Sequence, residues 1–427
     1  MDTAVVLFTR DLRVHDNPAL HAACETAAKV VPLFVLDPSV PGSPNRQRFL
    51  VESLADLRES LRARGGDLVL REGDAVEETL KLASDVGADG IALAADVSPY
   101  AHRRQRRLVA GAGRRSVKLF PGVTVVPAGD LKPGGGNHYK VFTPYYRSWQ
   151  AARRRDVVGA PEKIAMPSGV SVGPLPKAGS GNGFAAGGES AGRTRVHDWL
   201  RSIGAYDELH DDLPGDGTSR LSPYLHFGCV SPLDLALAAS GKDGAEPFIR
   251  QLCWRDFYAQ VLNAFPNLRT KPYRPGAEDT WTADRNAFEA WEAGQTGVPV
   301  VDAGMRQLVD EGWMHNRARL LTASYLTKHL GVDWRDGAAV FMAHLLDADV
   351  ANNYGNWQWV AGTGNDTRPY RRFNPVRQAL RFDPDGDYVR RYVPELASVP
   401  GKAVHTPWDL DAADRRALKY PEPLTLD

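Results

Sequence analysis

The sequence predicts an α/β protein with an N-terminal parallel-sheet domain and a larger, all-helical domain after it. Three observations predict this. Short β-branched runs alternate with amphipathic stretches as far as Leu119, a Gly-, Pro- and Ser-rich stretch follows, and after Thr194 strand signals almost vanish. The expected boundaries are a sheet domain over residues 1–130, a linker over 131–195 and a helical domain over 196–427.

The apolar runs Ala4–Phe8, Val30–Leu36, Leu68–Arg71, Ile91–Ala94 and Val117–Leu119 read as buried strands. Between them Pro18–Ala28, Gln47–Arg64, Ala75–Val86 and Ala101–Ala112 read as helices. This alternation implies a sheet covered on both faces, with ligands at the carboxyl ends of its strands. The first turn is T-R-D-L-R, Thr9–Arg13, and no G-x-G-x-x-G follows the first strand. A standard dinucleotide grip is therefore not indicated. Lys132–Gly192, and Ser168–Gly192 above all, has the composition of a linker that is mobile in part. Helical windows follow at Val196–Ile203, Pro232–Ala239, Pro247–Ala264, Ala303–Asp310, Arg317–Leu330 and Trp334–Leu346, with no internal repeat.

At 427 residues the chain has room for two or three domains, and 43% hydrophobic with 24% charged residues is ordinary for a globular protein. The N-terminal apolar run is too short for a secretory signal, and no run is long enough to span a bilayer. Cys24, Cys229 and Cys253 are scattered and fit neither a disulfide framework nor a metal cluster, so no metal is expected and a cytoplasmic setting is. The 52 basic and 52 acidic residues cancel, which argues against a coat on polyanions but leaves room for a local basic face. Two basic clusters stand out, an acid-free run over Val97–Lys118 and the group Arg147, Arg153, Arg154 and Arg155. The first reads foremost as a solvated helix face.

Chemistry concentrates in Asp347–Trp359, D-A-D-V-A-N-N-Y-G-N-W-Q-W. On a helix, Asp349, Asn353 and Trp357 share one face. Carboxylate and amide groups there can bond a polar heterocycle edge, and an indole can stack or pass an electron. A polar helix end over core tryptophans is the plainer alternative. G-T-S-R-L-S-P-Y, Gly217–Tyr224, offers hydroxyls at a helix start, suited to phosphate or to ordinary capping. In R-Q-L-C-W-R-D-F-Y, Arg250–Tyr258, Gln251 and Trp254 lie on one helix face; with Asn316 from G-W-M-H-N-R-A-R-L they could read a flat heterocycle.

These runs, with F-T-R-D-L-R-V-H-D-N-P-A-L near the start, T-G-V-P-V-V-D-A-G-M-R-Q-L and V-P-G-K-A-V-H-T-P-W, closely resemble the photolyase and cryptochrome family over nearly the whole chain. The resemblance implies a Rossmann-like antenna domain and an all-α FAD-binding domain. It implies light-dependent repair, in which reduced FAD gives a photoexcited electron to a cyclobutane pyrimidine dimer flipped out of DNA. UV-damaged DNA is the expected partner, and a monomer the expected state. By position, Tyr206, Thr218, Ser219, Arg220, Leu221 and Ser222 hold the phosphates and ribityl chain. Arg255, Asn316 and Arg319 line the cofactor, Arg319 pairs with Asp347, Asp349 bonds the flavin's pyrimidine edge, and Asn353 faces N5. Trp357, Trp334 and Trp281 pass electrons inward. Trp254 and Trp359 wall the lesion pocket, Gln251 lies in it, and Arg317 and Arg372 face the DNA backbone.

The pattern departs from the family in three places. Dimer-repairing members usually carry Glu where this chain has Gln251, a residue common in (6-4) photolyases and animal cryptochromes. The two histidines of (6-4) enzymes are replaced by Asn316 and Leu320, so the cyclobutane dimer is the favoured lesion. The P-Y-R-R-F-N-P run is one residue shorter than a common family version, which bears on Arg372. A cryptochrome without repair is the other alternative; Asn353 and a tail ending seven residues after Tyr420 count against it. For the antenna, Arg10, Phe34, Arg46 and Asp96 match positions around an 8-hydroxy-5-deazaflavin. His226 stands where a Lys is usual, so folate remains open, as does a set of ordinary strand-end polar residues.

Overall fold

The structure, a computed structural model, describes every residue except Pro41, residues 182–184, Asp216, Thr367 and Asp427. Five parallel strands, β1 (Thr3–Leu7), β2 (Lys29–Leu36), β3 (Val69–Glu72), β4 (Gly90–Ala94) and β5 (Ser116–Phe120), lie in the order β3-β2-β1-β4-β5. All five expected strands are present, with no end shifted by more than one residue. Helices α1 (Pro18–Thr26), α2 (Pro44–Arg62), α3 (Ala75–Asp85) and α4 (Pro99–Gly111) connect them. Each starts at a residue whose side chain accepts a backbone N–H of the first turn: Asn17, Ser43, Asp74 and Ser98. Strand β1 is wholly buried, and Val5, Leu7, Val31, Leu33, Ile91 and Leu93 form the centre of the core.

The remaining helices are α5 (Phe142–Ala151), α6 (Glu189–Ser202), α7 (Tyr206–Leu209), α8 (Ser222–Phe227), α9 (Pro232–Ser240), α10 (Glu246–Ala264), α11 (Arg285–Glu292), α12 (Pro299–Glu311), α13 (Asn316–Ser324), α14 (Trp334–His344), α15 (Val350–Ala361), α16 (Pro375–Phe382), α17 (Asp387–Tyr392) and α18 (Ala412–Leu418). A π-helical turn, Tyr325–His329, extends α13 across most of the window expected as one helix.

The chain forms two compact units. The first takes in Met1–Gly181, Ala185–Gly204 and Ser219–Pro266; the second takes in Ala205–Thr218 and Asn267–Asp427. These units do not break where composition changes, because α6 and α8–α10 are bonded to the sheet domain. The buried Glu189 carboxylate accepts the Val14 N–H at 2.7 Å and the His15 N–H at 3.1 Å. The buried Asp256 carboxylate accepts the Val126 N–H and the Trp149 indole N–H, both at 2.9 Å. Buried carboxylates are retained only with such partners, so these bonds fix both helices to the sheet domain.

The stretch expected as a linker makes contacts of its own. Its 182–184 portion lies outside the described residues, but much of the rest is strapped to the sheet domain. Backbone bonds join Val30 to Ala165 (2.8 Å), Ile164 to Arg64 (2.8 Å) and Leu70 to Val172 (2.7 Å), while Met166, Val170 and Val172 pack on the core. Its aromatic part forms α5, with Phe142, Tyr145, Tyr146 and Trp149 buried. Two members of the adjoining basic cluster face inward: Arg155 pairs with Asp16 and Arg154 lies 4.3 Å over Trp149.

The turn after β1 has a structural explanation. Asp11 accepts the Thr9 N–H at 2.7 Å, and buried Arg13 donates to the Asp16, Gly122 and Gly228 carbonyls. Gly228 ends α8 at φ +70, and a Cβ there would lie 1.9 Å from the Arg10 carbonyl oxygen. Gly228→Ala therefore combines left-handed backbone strain, roughly 1–2 kcal/mol, with overpacking of roughly 1–3 kcal/mol. Gly113, at φ +63 with nothing within 4 Å of such a Cβ, carries only the first cost when changed to Ala. Denaturant midpoints are expected to fall clearly further for Gly228→Ala; equal losses contradict this packing account.

Candidate cofactor and substrate site

In the second unit the polar block 347–359 does not form one continuous helix. Helix α15 begins at Val350, and Asp349 is its extended N-cap, accepting the Asn352 N–H and the Asn352 side-chain amide, both at 2.8 Å. Asp349 is thus half inside the helix, its carbonyl accepting the Asn353 N–H at 2.8 Å, while Asn353 and Trp357 are helical. Asp347 precedes the cap and takes a bidentate fork from Arg319, at 3.1 and 2.9 Å. Arg319 also donates to the Met314 carbonyl at 2.8 Å. Asn353 is buried and gives its Nδ2 to the Ala338 carbonyl of α14 at 2.9 Å. Two carboxylates, an arginine and an amide thus gather around one helix start. That donor and acceptor set fits the mixed N–H and C=O edge of an isoalloxazine.

Trp357 follows Asn353 by one turn and is buried, with no acceptor for its indole N–H among the described residues. Its ring meets Phe341 edge-on at 5.0 Å and Trp291 at 6.0 Å. It sits directly on Gly337, where a Cβ would lie 2.3 Å from Cη2. Gly337 is three residues beyond Trp334, so Trp334 and the seat of Trp357 share a face of α14. Trp334 is fully buried, and the Arg335 guanidinium lies 4.5 Å over its ring. Arg335 forks to Asp279 at 3.0 and 2.7 Å and also pairs with Asp333. Asp279 in turn accepts the indole N–H of half-buried Trp281 at 2.8 Å. Burial raises the Asp279 pKa, but hydrogen bonds from Arg335 and Trp281 outweigh it and hold the group below the ordinary carboxylate range. The Trp334 N–H makes no ordinary hydrogen bond to it and contributes less.

Elsewhere in the second unit, Tyr206 opens α7 with its ring 5.1 Å from His210, and Thr218 is half-buried. Asn316 is exposed at the first position of α13. Arg317 forks onto Asp211 and lies 4.3 Å over Phe382, so it is engaged within the protein. Half-buried Trp359 has Arg371 4.9 Å over its ring, and exposed Arg372 donates to His329 at 3.1 Å.

In the first unit, Ser219 accepts the Leu221 N–H at 3.3 Å, Arg220 has φ +49, and α8 starts at Ser222. Among the described residues no side chain caps α8. Gln251 is exposed on α10. Trp254, half-buried, stacks on Phe142 with centroids 3.7 Å apart and planes within 2°. Arg255 donates to the Val123 and Leu225 carbonyls, tying α10 to the sheet domain and α8. Of the strand-end residues, Arg10 after β1 bonds Asp96 after β4 at 3.4 Å and the His226 carbonyl at 3.1 Å. These two strands are neighbours where the sheet order reverses, the usual ligand cleft of such sheets. Phe34 is half-buried on β2 and Arg46 lies in the first turn of α2.

Sequence reasoning missed several members of this arrangement: Asp279, Arg335, Trp291, Gly337 and the Ala338 carbonyl. Asp279 and Arg335 lie 56 residues apart, and no local spacing announces their pairing. Other motif residues prove to be scaffold. Asp302 of T-G-V-P-V-V-D accepts the Thr296 and Gly297 N–H groups at 2.8 and 3.1 Å, and Gln307 links Tyr388 and the His315 backbone.

Comparison with known proteins identifies the family. Residues 4–166 match the family model described as DNA photolyase, and residues 248–425 match the one described as the FAD binding domain of DNA photolyase. The chain is 51% identical to a deoxyribodipyrimidine photo-lyase of Streptomyces griseus, over 99% of this chain and 96% of that protein. A bacterial class III photolyase from Agrobacterium tumefaciens superposes with a TM-score of 0.92 at 33% identity, covering 100% and 95% of the two chains. A cryptochrome of Synechocystis superposes with a TM-score of 0.91 at 30% identity, covering 100% and 96%. The chain therefore belongs to the DNA photolyase family, with an FAD-binding domain in its C-terminal half.

Proposed function

We propose that this protein is a light-dependent DNA repair enzyme, a deoxyribodipyrimidine photo-lyase that splits cyclobutane pyrimidine dimers. The observation that carries it is the match to the Streptomyces griseus photo-lyase over 99% of the chain, a span that includes both the α15 cluster and Trp254. When bound and reduced, FAD supplies the light-excited electron that opens the cyclobutane ring.

The roles of the chain's own residues follow from their chemistry. Asp349 and Asn353 orient the isoalloxazine edge, and the Arg319–Asp347 fork holds their helix start in place. Tyr206, Thr218, Ser219, Arg220, Leu221 and Ser222 take the phosphates and ribityl chain, beside Arg255 and Asn316. Trp254 and Trp359 stack on the extruded bases, and Gln251 hydrogen-bonds the lesion in place of a carboxylate. Arg372 contacts a phosphate. Arg317 serves the same backbone through a pair that already neutralises Asp211. Trp357, Trp334 and Trp281 carry electrons inward. Arg10, Phe34, Arg46, Asp96 and His226 hold an antenna chromophore of deazaflavin or folate type. The scattered, unbridged cysteines suit the cytoplasm, and among the described residues no helix is long and apolar enough to cross a membrane. A single chain acting on damaged DNA completes the reading.

Stacking on an aromatic contributes roughly 1–3 kcal/mol per base. Trp254→Ala is therefore expected to weaken binding of dimer-containing DNA by about 5- to 150-fold and to lower repair at limiting DNA; unchanged binding removes Trp254 from the pocket. Trp357→Phe is expected to slow flavin photoreduction yet leave repair intact when FAD is reduced chemically beforehand. Photoreduction at the wild-type rate contradicts the role of Trp357.

A further inference from the structure

The outermost of the three indoles carries a feature that an electron relay alone does not require. Trp281 is half-buried, and its N–H points at the Asp279 carboxylate, 2.8 Å from Oδ1. That distance lies within the reach of proton transfer. The Asp279 side chain is 29% exposed, so a proton received there has a way out to water. Arg335 lies over the middle indole, 4.5 Å from the Trp334 ring, and pairs with both Asp279 and Asp333. A cation over a ring opposes placing a second positive charge on that ring. A carboxylate on the outer indole's N–H favours positive charge there. The charges around the two tryptophans are therefore graded, with the cation at the inner one and the anion at the outer.

We propose that Asp279 is the built-in proton acceptor of Trp281, converting a reversible electron hop into a long-lived charge separation. The inference rests on the reading of Trp357, Trp334 and Trp281 as an electron relay. The ultimate oxidant is a light-excited oxidised flavin. Trp281 gives one electron to the oxidised Trp334, restoring it, and becomes a radical cation. Its Nε1–H proton then moves to Asp279 Oδ1, leaving a neutral indolyl radical and a carboxylic acid that releases its proton to water. Oxidised indole is a much stronger acid than indole itself, so the proton moves only after the electron has left. Once it has moved, the electron's return needs the proton back, and recombination slows.

Two readouts test this on the full chain. In the first, the indole N–H resonances of ¹⁵N-tryptophan-labelled protein are recorded, that of Trp281 being identified by its loss in Trp281→Phe. A hydrogen bond to a carboxylate moves that resonance downfield, and Asp279→Asn is expected to shift it back; an unmoved resonance overturns the contact. In the second, transient absorption of FAD-loaded protein follows the tryptophan radical from its cationic to its neutral form. In wild type the conversion is expected to be independent of buffer concentration. In Asp279→Asn it is expected to slow by roughly 10²-fold and to become buffer-dependent, with Asp279→Glu restoring much of the rate. Arg335→Gln, which breaks the ion pair but keeps the carboxylate, is expected to retain fast conversion; a loss as large as that of Asp279→Asn assigns the effect to structure and overturns the proposal. Unchanged conversion in Asp279→Asn, where Trp281→Phe abolishes the long-lived radical, overturns the role of Asp279 and leaves the relay standing. A radical that survives Trp281→Phe overturns the relay and this inference with it.

Discussion

The fork from Arg319 to Asp347 is the contact on which the candidate flavin site depends. Asp347 is almost wholly buried, its side chain 6% exposed, and an unpaired carboxylate there would be costly. Two parallel hydrogen bonds from a planar guanidinium offset that cost and fix direction as well as distance. The chain leaves this anchor through Ala348 and enters α15 at a capped Asp349, so the polar atoms of residues 347–353 are held by two independent constraints. Helix α14 adds a third, since the Ala338 carbonyl takes the Asn353 amide. A preorganised set of this kind binds a polar ring edge without first having to order itself.

Much of this was legible in the sequence where the information is local. β-branched runs located all five strands, whereas the expected starts of α2 and α4 fell about three and two residues late, past the Ser43-Pro44 and Ser98-Pro99 pairs that begin those helices. The Arg319–Asp347 pair was legible only through family resemblance, because 28 residues separate its members. Composition gave no sign of the tertiary bonds made by the segment from Lys132 onward. Gly, Pro and Ser report the lack of local preference, not the lack of tertiary bonds, and the strap at 164–172 is held by backbone groups whose partners lie in β2, β3 and the end of α2. Asp349 lies at the edge of the helix: as N-cap its carbonyl accepts the Asn353 N–H at 2.8 Å, while its own backbone is extended.

Polar motifs divide by what their side chains touch. Asp302, Gln307, Arg13 and Glu189 all spend their polar atoms on backbone or neighbouring side chains and hold turns or helices in place. Arg255 is a scaffold residue as well as a candidate cofactor contact, since its guanidinium already bonds two carbonyls. In the α15 cluster the carboxylates and the amide converge on one helix start instead of being spread along the scaffold. The same physical question, where each buried polar group finds its partner, separates scaffold from site more sharply than the motif alone.

The central claim is that the C-terminal helices hold a flavin whose excited electron reaches a damaged nucleotide. Cleavage of dimers in a UV-irradiated oligonucleotide by the flavin-loaded, fully reduced protein, in blue light and in darkness, tests it most directly. The account predicts restoration of intact pyrimidines in the light and none in the dark. Reduced, flavin-loaded protein that leaves the dimers intact in the light would contradict it.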